Sequence, residues 1–264
     1  MSKSYTASFY DWQSGAARSS AEEMVPLIID LVRPASVVDV GCGTGAWLSV
    51  FKRHGISDIL GIDGSSVRRD MLEIPPDRFL AVDLDEPAGV NRTFDLVICL
   101  EVAEHITAAR AERFIDFLVH LGPVVVFSAA IPFQGGTNHV NEQWPGYWCD
   151  LFSRKGYVAA DCIRKSVWQN EKVDYWYAQN TLVFVKRESV DRFPGIKRCY
   201  ENTDPRSLSV VHPRLYLKKV DRALSGPDLT ELPVLKVIAA LPALIFRSFF
   251  RKIMGIFRLI KGRR

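Results

Sequence analysis

The sequence predicts an α/β fold: a doubly wound, mostly parallel sheet with a C-terminal helical extension. Three observations carry the prediction. Short β-branched runs alternate with amphipathic segments along most of the 264 residues. Those runs are continuously apolar rather than alternating, as strands covered on both faces must be. The first of them ends in a cluster of glycines that opens directly into a helical segment.

The elements follow in order. From Ala21 to Val32, Met24, Ile28, Leu31 and Val32 recur at helical spacing, and Pro34 stops the helix. SVVDV (36–40) reads as a buried strand, Ala46 to His54 as a helix and DILGID (58–63) as a second strand. A short helix is expected near Val67–Glu73, ending before Pro75 and Pro76. FLAVD (79–83) is a third strand and FDLVICL (94–100) a fourth, the most hydrophobic. A helix over Ala108–Leu121 precedes a fifth strand, VVVFSA (124–129). Then the pattern changes: a helix over Tyr147–Lys155 and two further strands, YVAADCI (157–163) and TLVFVK (181–186), flank a polar, aromatic loop with Trp168, Tyr175, Trp176 and Tyr177.

Four segments result. Residues 1–20 hold Tyr5, Phe9, Tyr10 and Trp12 ahead of the first helix, as a lid or as packing; residues 21–187 form the α/β domain. Residues 188–233, with prolines at 194, 205, 213, 227 and 233 and no sustained period, read as an irregular linker or wrap. Residues 234–264 close the chain.

Charge separates the last segment from the rest. Of 34 Lys and Arg, eight fall within 234–264, which has no acid, leaving 26 basic against 30 acidic residues in the body. An acidic body is poorly suited to tracking phosphate backbones, so no nucleic-acid partner is expected. Within the tail, Phe246, Phe249, Phe250, Ile253, Phe257 and Ile260 form an apolar stripe opposite Arg247, Arg251 and Arg258. Such a basic amphipathic helix suits an anionic membrane surface or packs on protein. Its apolar stretch is broken by Pro242 and is too short to span a bilayer. Five cysteines without a C-x-x-C pair, and an N-terminus without an apolar signal core, give the expectation of a reducing, cytoplasmic setting, peripheral at the membrane if the tail binds there.

The strongest motif is VVDVGCGTGAWL (37–48): a strand delivers Asp39, then Gly41, Cys42, Gly43, Thr44 and Gly45 turn the chain into a helix. Glycines there let a ligand approach the backbone. Alone, the motif also fits a dinucleotide site, with Ala46 in the last position. Three features favour a different ligand. Asp63 ends the second strand, where a carboxylate can accept from both hydroxyls of a ribose; Asp83 and Leu84 follow the third, where an adenine could lie; and Glu101, Glu104 and His105 follow the fourth. An acid-lined pocket suits a sulfonium and an ammonium better than a pyrophosphate.

These residues resemble the class I S-adenosylmethionine-dependent methyltransferases, over roughly residues 20–186. The resemblance implies a Rossmann-like fold of seven strands, the last antiparallel. It places Gly41, Gly43 and Gly45 on the methionine side of the cofactor, with Asp39, Cys42 and Glu101 lining the same pocket, Asp63 on the ribose, and Asp83 and Leu84 by the adenine.

Glu101, Glu104 and His105 stand at i, i+3 and i+4, so a helical turn there would aim all three one way. With His139, from the segment after strand five, they form a candidate site for Mg²⁺ or Mn²⁺. The cluster is similar to the Glu-x-x-Glu-His of small-RNA 3′-terminal 2′-O-methyltransferases and of ubiquinone-biosynthesis O-methyltransferases, both of which methylate one of two neighbouring hydroxyls. A metal-free reading keeps His139 or His105 as general base, and a structural one has the cluster shape the cofactor pocket. Trp144, Tyr147 and Trp148, with Trp176, Gln179 and Asn180, suit a saccharide, a glycolipid precursor or another small polyol as methyl acceptor, or else serve as core. The alternatives are a metal-independent natural-product O- or N-methyltransferase and a non-catalytic cofactor-binding subunit.

Overall fold

A computed structural model describes residues 7–86 and 90–225, with side chains over 17–86 and 90–224. Its centre is a seven-stranded sheet: β1 (Ser36–Val40), β2 (Asp58–Asp63), β3 (Phe79–Ala81), β4 (Leu96–Leu100), β5 (Val124–Ser128), β6 (Tyr157–Ala160) and β7 (Leu182–Lys186), in the order β3-β2-β1-β4-β5-β7-β6. β1, β2, β3, β4 and β5 pair in parallel, and β7 runs antiparallel to both β5 and β6. This is the Rossmann-like methyltransferase arrangement, with its one antiparallel strand last in the chain.

Every residue of β4 and β5 is buried, which explains why their sequences do not alternate. Helices flank the sheet: α1 (Ala7–Val32), α2 (Ala46–Arg53), α3 (Ala108–Leu121), α4 (Pro145–Arg154), α5 (Arg164–Val167), α6 (Tyr175–Asn180) and α7 (Pro194–Glu201); α8 (Pro213–Ser225) follows them in the chain. α3 shows how the sequence builds such a layer. Ala111, Phe114, Ile115, Leu118 and Leu121 share one buried stripe, and Tyr157 Oη donates to the carbonyls of Val119 and Gly122 where the helix ends. Because the chain reverses direction across the sheet between β1 and β4, their carboxyl ends open a crevice, the usual ligand position in such sheets.

Several elements differ from the sequence reading. α1 begins at Ala7, so residues 7–20 of the expected lid segment are the first turns of that helix. The expected helix at 67–73 is a single 3-10 turn, Arg69–Met71, squeezed between the strand-two turn and Pro75. β3 stops at Ala81 because Asp83 turns the chain, its Oδ1 accepting from Asp85 N at 3.0 Å. β6 ends at Ala160, and the aromatic loop contains α5 and α6. The wrap expected over 188–233 is partly helical, since Pro194 and Pro213 occupy the first positions of α7 and α8, where proline's missing N–H is no loss.

Residues 1–215 make one compact unit; of a second, from Tyr216, the described part is the rest of α8. Among the described residues no helix is long and apolar enough to cross a membrane. The amphipathic helix expected at 234–264, and Tyr5 of the lid, lie outside the described residues.

Candidate functional site

The crevice is walled on one side by the glycine loop after β1. Gly41 has φ of +82°, and its N–H donates to Ile62 O at 2.7 Å. A Cβ on Gly41 would come within 2.2 Å of Val102 Cγ2, so both the backbone conformation and the close approach of the strand-four loop require glycine. Gly45, at φ +87°, starts α2 and closes the turn by donating to Cys42 O. Gly43, at φ +54°, would place a Cβ with nothing within 4 Å, so its outer side is open to a ligand.

Asp63, at the tip of β2, holds this loop: Oδ2 accepts from Gly43 N at 2.7 Å and Oδ1 from Gly64 N at 2.6 Å. Burial pushes its carboxyl up, and those two bonds oppose the shift. Behind it, Asp39 is buried and its Oδ2 has no hydrogen-bond partner. Burial first, and the nearby Asp63 second, push the Asp39 carboxyl well above the usual range. Cys42 is buried too, its thiol pushed up by burial and then by Asp39 and Asp63. Asp83 is exposed in its turn, and Leu84 is half-buried against the core beside β2. The glycine cradle, the strand-tip carboxylate and an orphaned buried acid fit a sulfonium cofactor whose ribose needs acceptors.

The other wall begins at Glu101, which adopts φ of +56° just after β4. A glutamate in the left-handed region is uncommon and strained. Its backbone N–H is held by Ser128 O and Oγ at 3.0 Å each. Its carboxylate accepts from Gln134 Nε2 at 2.8 Å and from Asn180 Nδ2 at 3.0 Å. Burial pushes the acid up, and the amide donors pull it down. Gln134, Gln179 and Asn180 bond to one another, and Gln179 Oε1 accepts from His212 N. Arg164, bonded to Gln179 O and Leu208 O, closes this buried network. Gln134, Arg164 and His212 were not among the residues the sequence singled out. Only the pairing of Gln179 with Asn180 hinted at the network.

Three of the four expected metal ligands do meet. Glu104, His105 and His139 each offer a ligand atom within 4.8 Å of the others. Glu104 is wholly buried, with no hydrogen-bond partner on either carboxylate oxygen, and His139 Nε2 lies 3.9 Å from its Oε1. Burial, then the Glu101 charge, push the Glu104 carboxyl well up, and the nearby backbone N–H groups of Glu104 and Ala130, which fall short of hydrogen-bond geometry, oppose the shift. His105 meets His139 edge-to-face, ring centroids 4.9 Å apart, and its Nδ1 donates to Asn138 O at 3.3 Å. Burial, then His139, push the His105 imidazole down to about 4, so it is neutral near pH 7. His139 Nδ1 donates to Glu142 Oε1 at 2.8 Å, which leaves Nε2 as the free lone pair.

Glu101 is not part of this cluster, which corrects the expected four-ligand set. Its left-handed backbone breaks the helical turn that would have aligned it with Glu104 and His105, and its carboxylate is taken by Gln134 and Asn180. The aromatic pocket is corrected as well. Trp148 is core, its ring 5.3 Å from that of Phe127, and Tyr177 is core against Trp47. Trp144 is exposed, and Tyr147 and Trp176 are half-buried. The segment instead exposes Phe133 and Val140, while Asn141 is buried with its Nδ2 unpaired.

Residues 13–120 match a family model described as a methyltransferase domain. No curated protein matches the chain. Among solved structures, it is similar to LaPhzM, at 15% identity over 67% of this chain and 57% of that one, TM-score 0.50. It is also similar to an O-methyltransferase family protein from Burkholderia thailandensis, at 16% identity over 68% and 59%, TM-score 0.48. CalS10, an amino pentose methyltransferase from Micromonospora echinaspora solved with its cofactor, aligns at 16% identity over 69% and 97%, TM-score 0.48. The chain therefore spans less than two thirds of the first two proteins, and its likeness to LaPhzM is one of fold.

Proposed function

We propose that this chain, whose residues 13–120 match a methyltransferase domain, is a class I S-adenosylmethionine-dependent methyltransferase whose methyl acceptor is a hydroxyl of a small polyol, with saccharides and glycolipid precursors foremost. The observation that supports this most is Glu104: a buried carboxylate without a hydrogen-bond partner, beside two imidazoles, in the turn that follows β4. A buried acid so placed is costly unless something completes it.

The cluster can be completed by a divalent cation. Glu104, His105 and His139 would hold it, a mixed oxygen and nitrogen set that suits Mn²⁺ or Mg²⁺. When bound, such an ion lowers the pKa of a coordinated hydroxyl and orients it. The chain's own residues do the rest. Asp63 fixes the glycine loop, so the cofactor side needs no rearrangement. Gln134 and Asn180 donate to the Glu101 carboxylate and hold it in place, leaving a negative wall for the sulfonium. Glu142 holds the His139 ring with its Nε2 lone pair toward Glu104.

A second reading has support of its own. The His139–Glu142 contact, at 2.8 Å, is the base-and-orienter pair that a metal-free general base requires. One experiment separates the two. The full chain is given methyl-labelled S-adenosylmethionine and a panel of vicinal-diol saccharides and monohydroxy analogues, with chelator and with restored Mn²⁺ or Mg²⁺. The cation reading expects transfer to vicinal diols, lost in chelator and regained with metal. Undiminished transfer in chelator supports the base instead, and label on amines alone would sink the hydroxyl acceptor.

A further inference from the structure

Glu73 belongs to neither half of the site, yet it grips the glycine loop. Its backbone N donates to Thr44 O at 2.8 Å, and its Oε1 accepts from Thr44 Oγ1 at 3.1 Å. Oε2 accepts from Ser49 Oγ, at the start of α2, at 3.4 Å, and pairs with the Arg18 guanidinium of α1. The next residue, Ile74, packs so closely that a Cβ on Gly45 would meet its Cγ1 at 3.0 Å. Glu73 and Ile74 therefore brace the loop from outside, while Asp63 holds Gly43 from within. The Glu73 side chain is mostly buried and Arg18 half-exposed, a setting where an ion pair is less screened than at an open surface.

Arg18 also stands one turn from a second set of bonds. Ser19 Oγ donates to Lys172 O at 2.8 Å, and Ser20 Oγ accepts from Asp174 N at 3.0 Å. Glu23 accepts from Asn170 Nδ2 at 2.8 Å and Lys172 Nζ at 3.0 Å. Asp174 leads into α6, whose last residue, Asn180, donates to Glu101. An unbroken series of contacts thus runs from the cofactor loop through Glu73, Arg18 and α1 to the segment that positions Glu101.

We propose that Glu73 is a positioning residue for the cofactor loop and that its pair with Arg18 makes α1 the link between cofactor binding and the 170–180 segment on the acceptor side. The proposal rests on the glycine loop being the cofactor site. S-adenosylhomocysteine is the probe, read by calorimetry and by hydrogen exchange on the full chain. In the wild-type chain and in Arg18→Lys, the ligand is expected to slow exchange across 41–45, 17–32 and 170–180 together. In Arg18→Gln, affinity falls about threefold and protection is confined to 41–45; in Glu73→Gln, affinity falls about tenfold. Thr44→Val, which breaks the hydroxyl link but keeps the ion pair, gives the same uncoupling if Arg18→Gln does not fold. A purely structural pair would shift the melting temperature yet leave ligand-induced protection of 170–180 intact in both variants, and that result overturns the proposal. Failure of the wild-type chain to bind the probe at all would instead sink the cofactor site.

Discussion

The two walls of the crevice are finished to different degrees. On the cofactor side, the Asp63 carboxylate receives two backbone N–H groups, and the loop amides of Gly41, Cys42, Gly43 and Gly45 all have acceptors, although Asp39 Oδ2 behind them is left without a partner. On the acceptor side, Glu104 has two unpaired buried oxygens, Asn141 an unpaired buried amide nitrogen, and Phe133 is exposed in a left-handed conformation. Native interiors rarely leave such groups unsatisfied. A wall whose loop backbone is held at every one of these amides is rigid before a ligand arrives. A wall that leaves them open is one whose missing partner comes from outside the chain.

The largest effect should come from breaking the finished wall. Gly41→Ala forces a Cβ into Val102 and a side chain into a conformation with φ of +82°. Val102 adjoins Glu101, so the clash travels across the crevice to the acceptor wall. A loss of stability on the order of 3 kcal/mol is expected, with S-adenosylhomocysteine affinity reduced more than tenfold. Chemical denaturation and calorimetry measure both. A variant that binds like the wild type would mean that the loop is softer than its hydrogen bonds imply.

Glu104→Gln should act in the opposite direction on the unfinished wall. The folded-state pKa of Glu104 is raised above its ordinary value of 4.5. The folded chain therefore holds this proton more tightly than the unfolded chain does. Relative to a neutral side chain, glutamate is harmless below about pH 4 and increasingly destabilising as pH rises toward the folded pKa. The variant should match the wild type at pH 4 and be the more stable of the two at pH 8. Added Mn²⁺ should reverse the ranking, stabilising the wild type at pH 8 but not the variant, because the ligand must be ionised. Thermal melts across pH, with and without Mn²⁺, test it. No pH-dependent gap would mean that Glu104 is satisfied without a metal.

The same contrast explains what was legible in the sequence. Strands β1, β2, β4 and β5 could be read because burial on both faces makes them continuously apolar. The glycine loop could be read because its residues are adjacent in sequence and a strand leads into it. Glu101 could not be assigned correctly, because its partners Gln134 and Asn180 stand 33 and 79 residues away, and its left-handed backbone leaves no trace in spacing. Prolines 194 and 213 read as breaks, although at a first helical position they start α7 and α8. The first turns of α1, rich in Ser and Ala, carry little apolar period, so a lid and a helix look alike there. Glu73 looked like an ordinary acid at the end of a short helix, since its grip on Thr44 exists only once the loop folds back.

The smallest effect is also the sharpest test of an unfinished wall. Phe133 is 87% exposed at φ +68°. The native fold therefore gains little from burying its ring, while a bulky side chain in that region costs roughly 1 kcal/mol. Phe133→Gly relieves the strain but adds backbone freedom to the unfolded chain, a cost of roughly 0.5–1 kcal/mol. The two terms nearly cancel, so stability should change by less than about 0.5 kcal/mol, where loss of a packed phenylalanine costs about 3 kcal/mol or more. S-adenosylhomocysteine affinity should be unchanged, because the cofactor wall is held without Phe133. A large destabilisation would show that the ring is packed in solution, and the acceptor wall would then be more complete than its exposed side chains suggest.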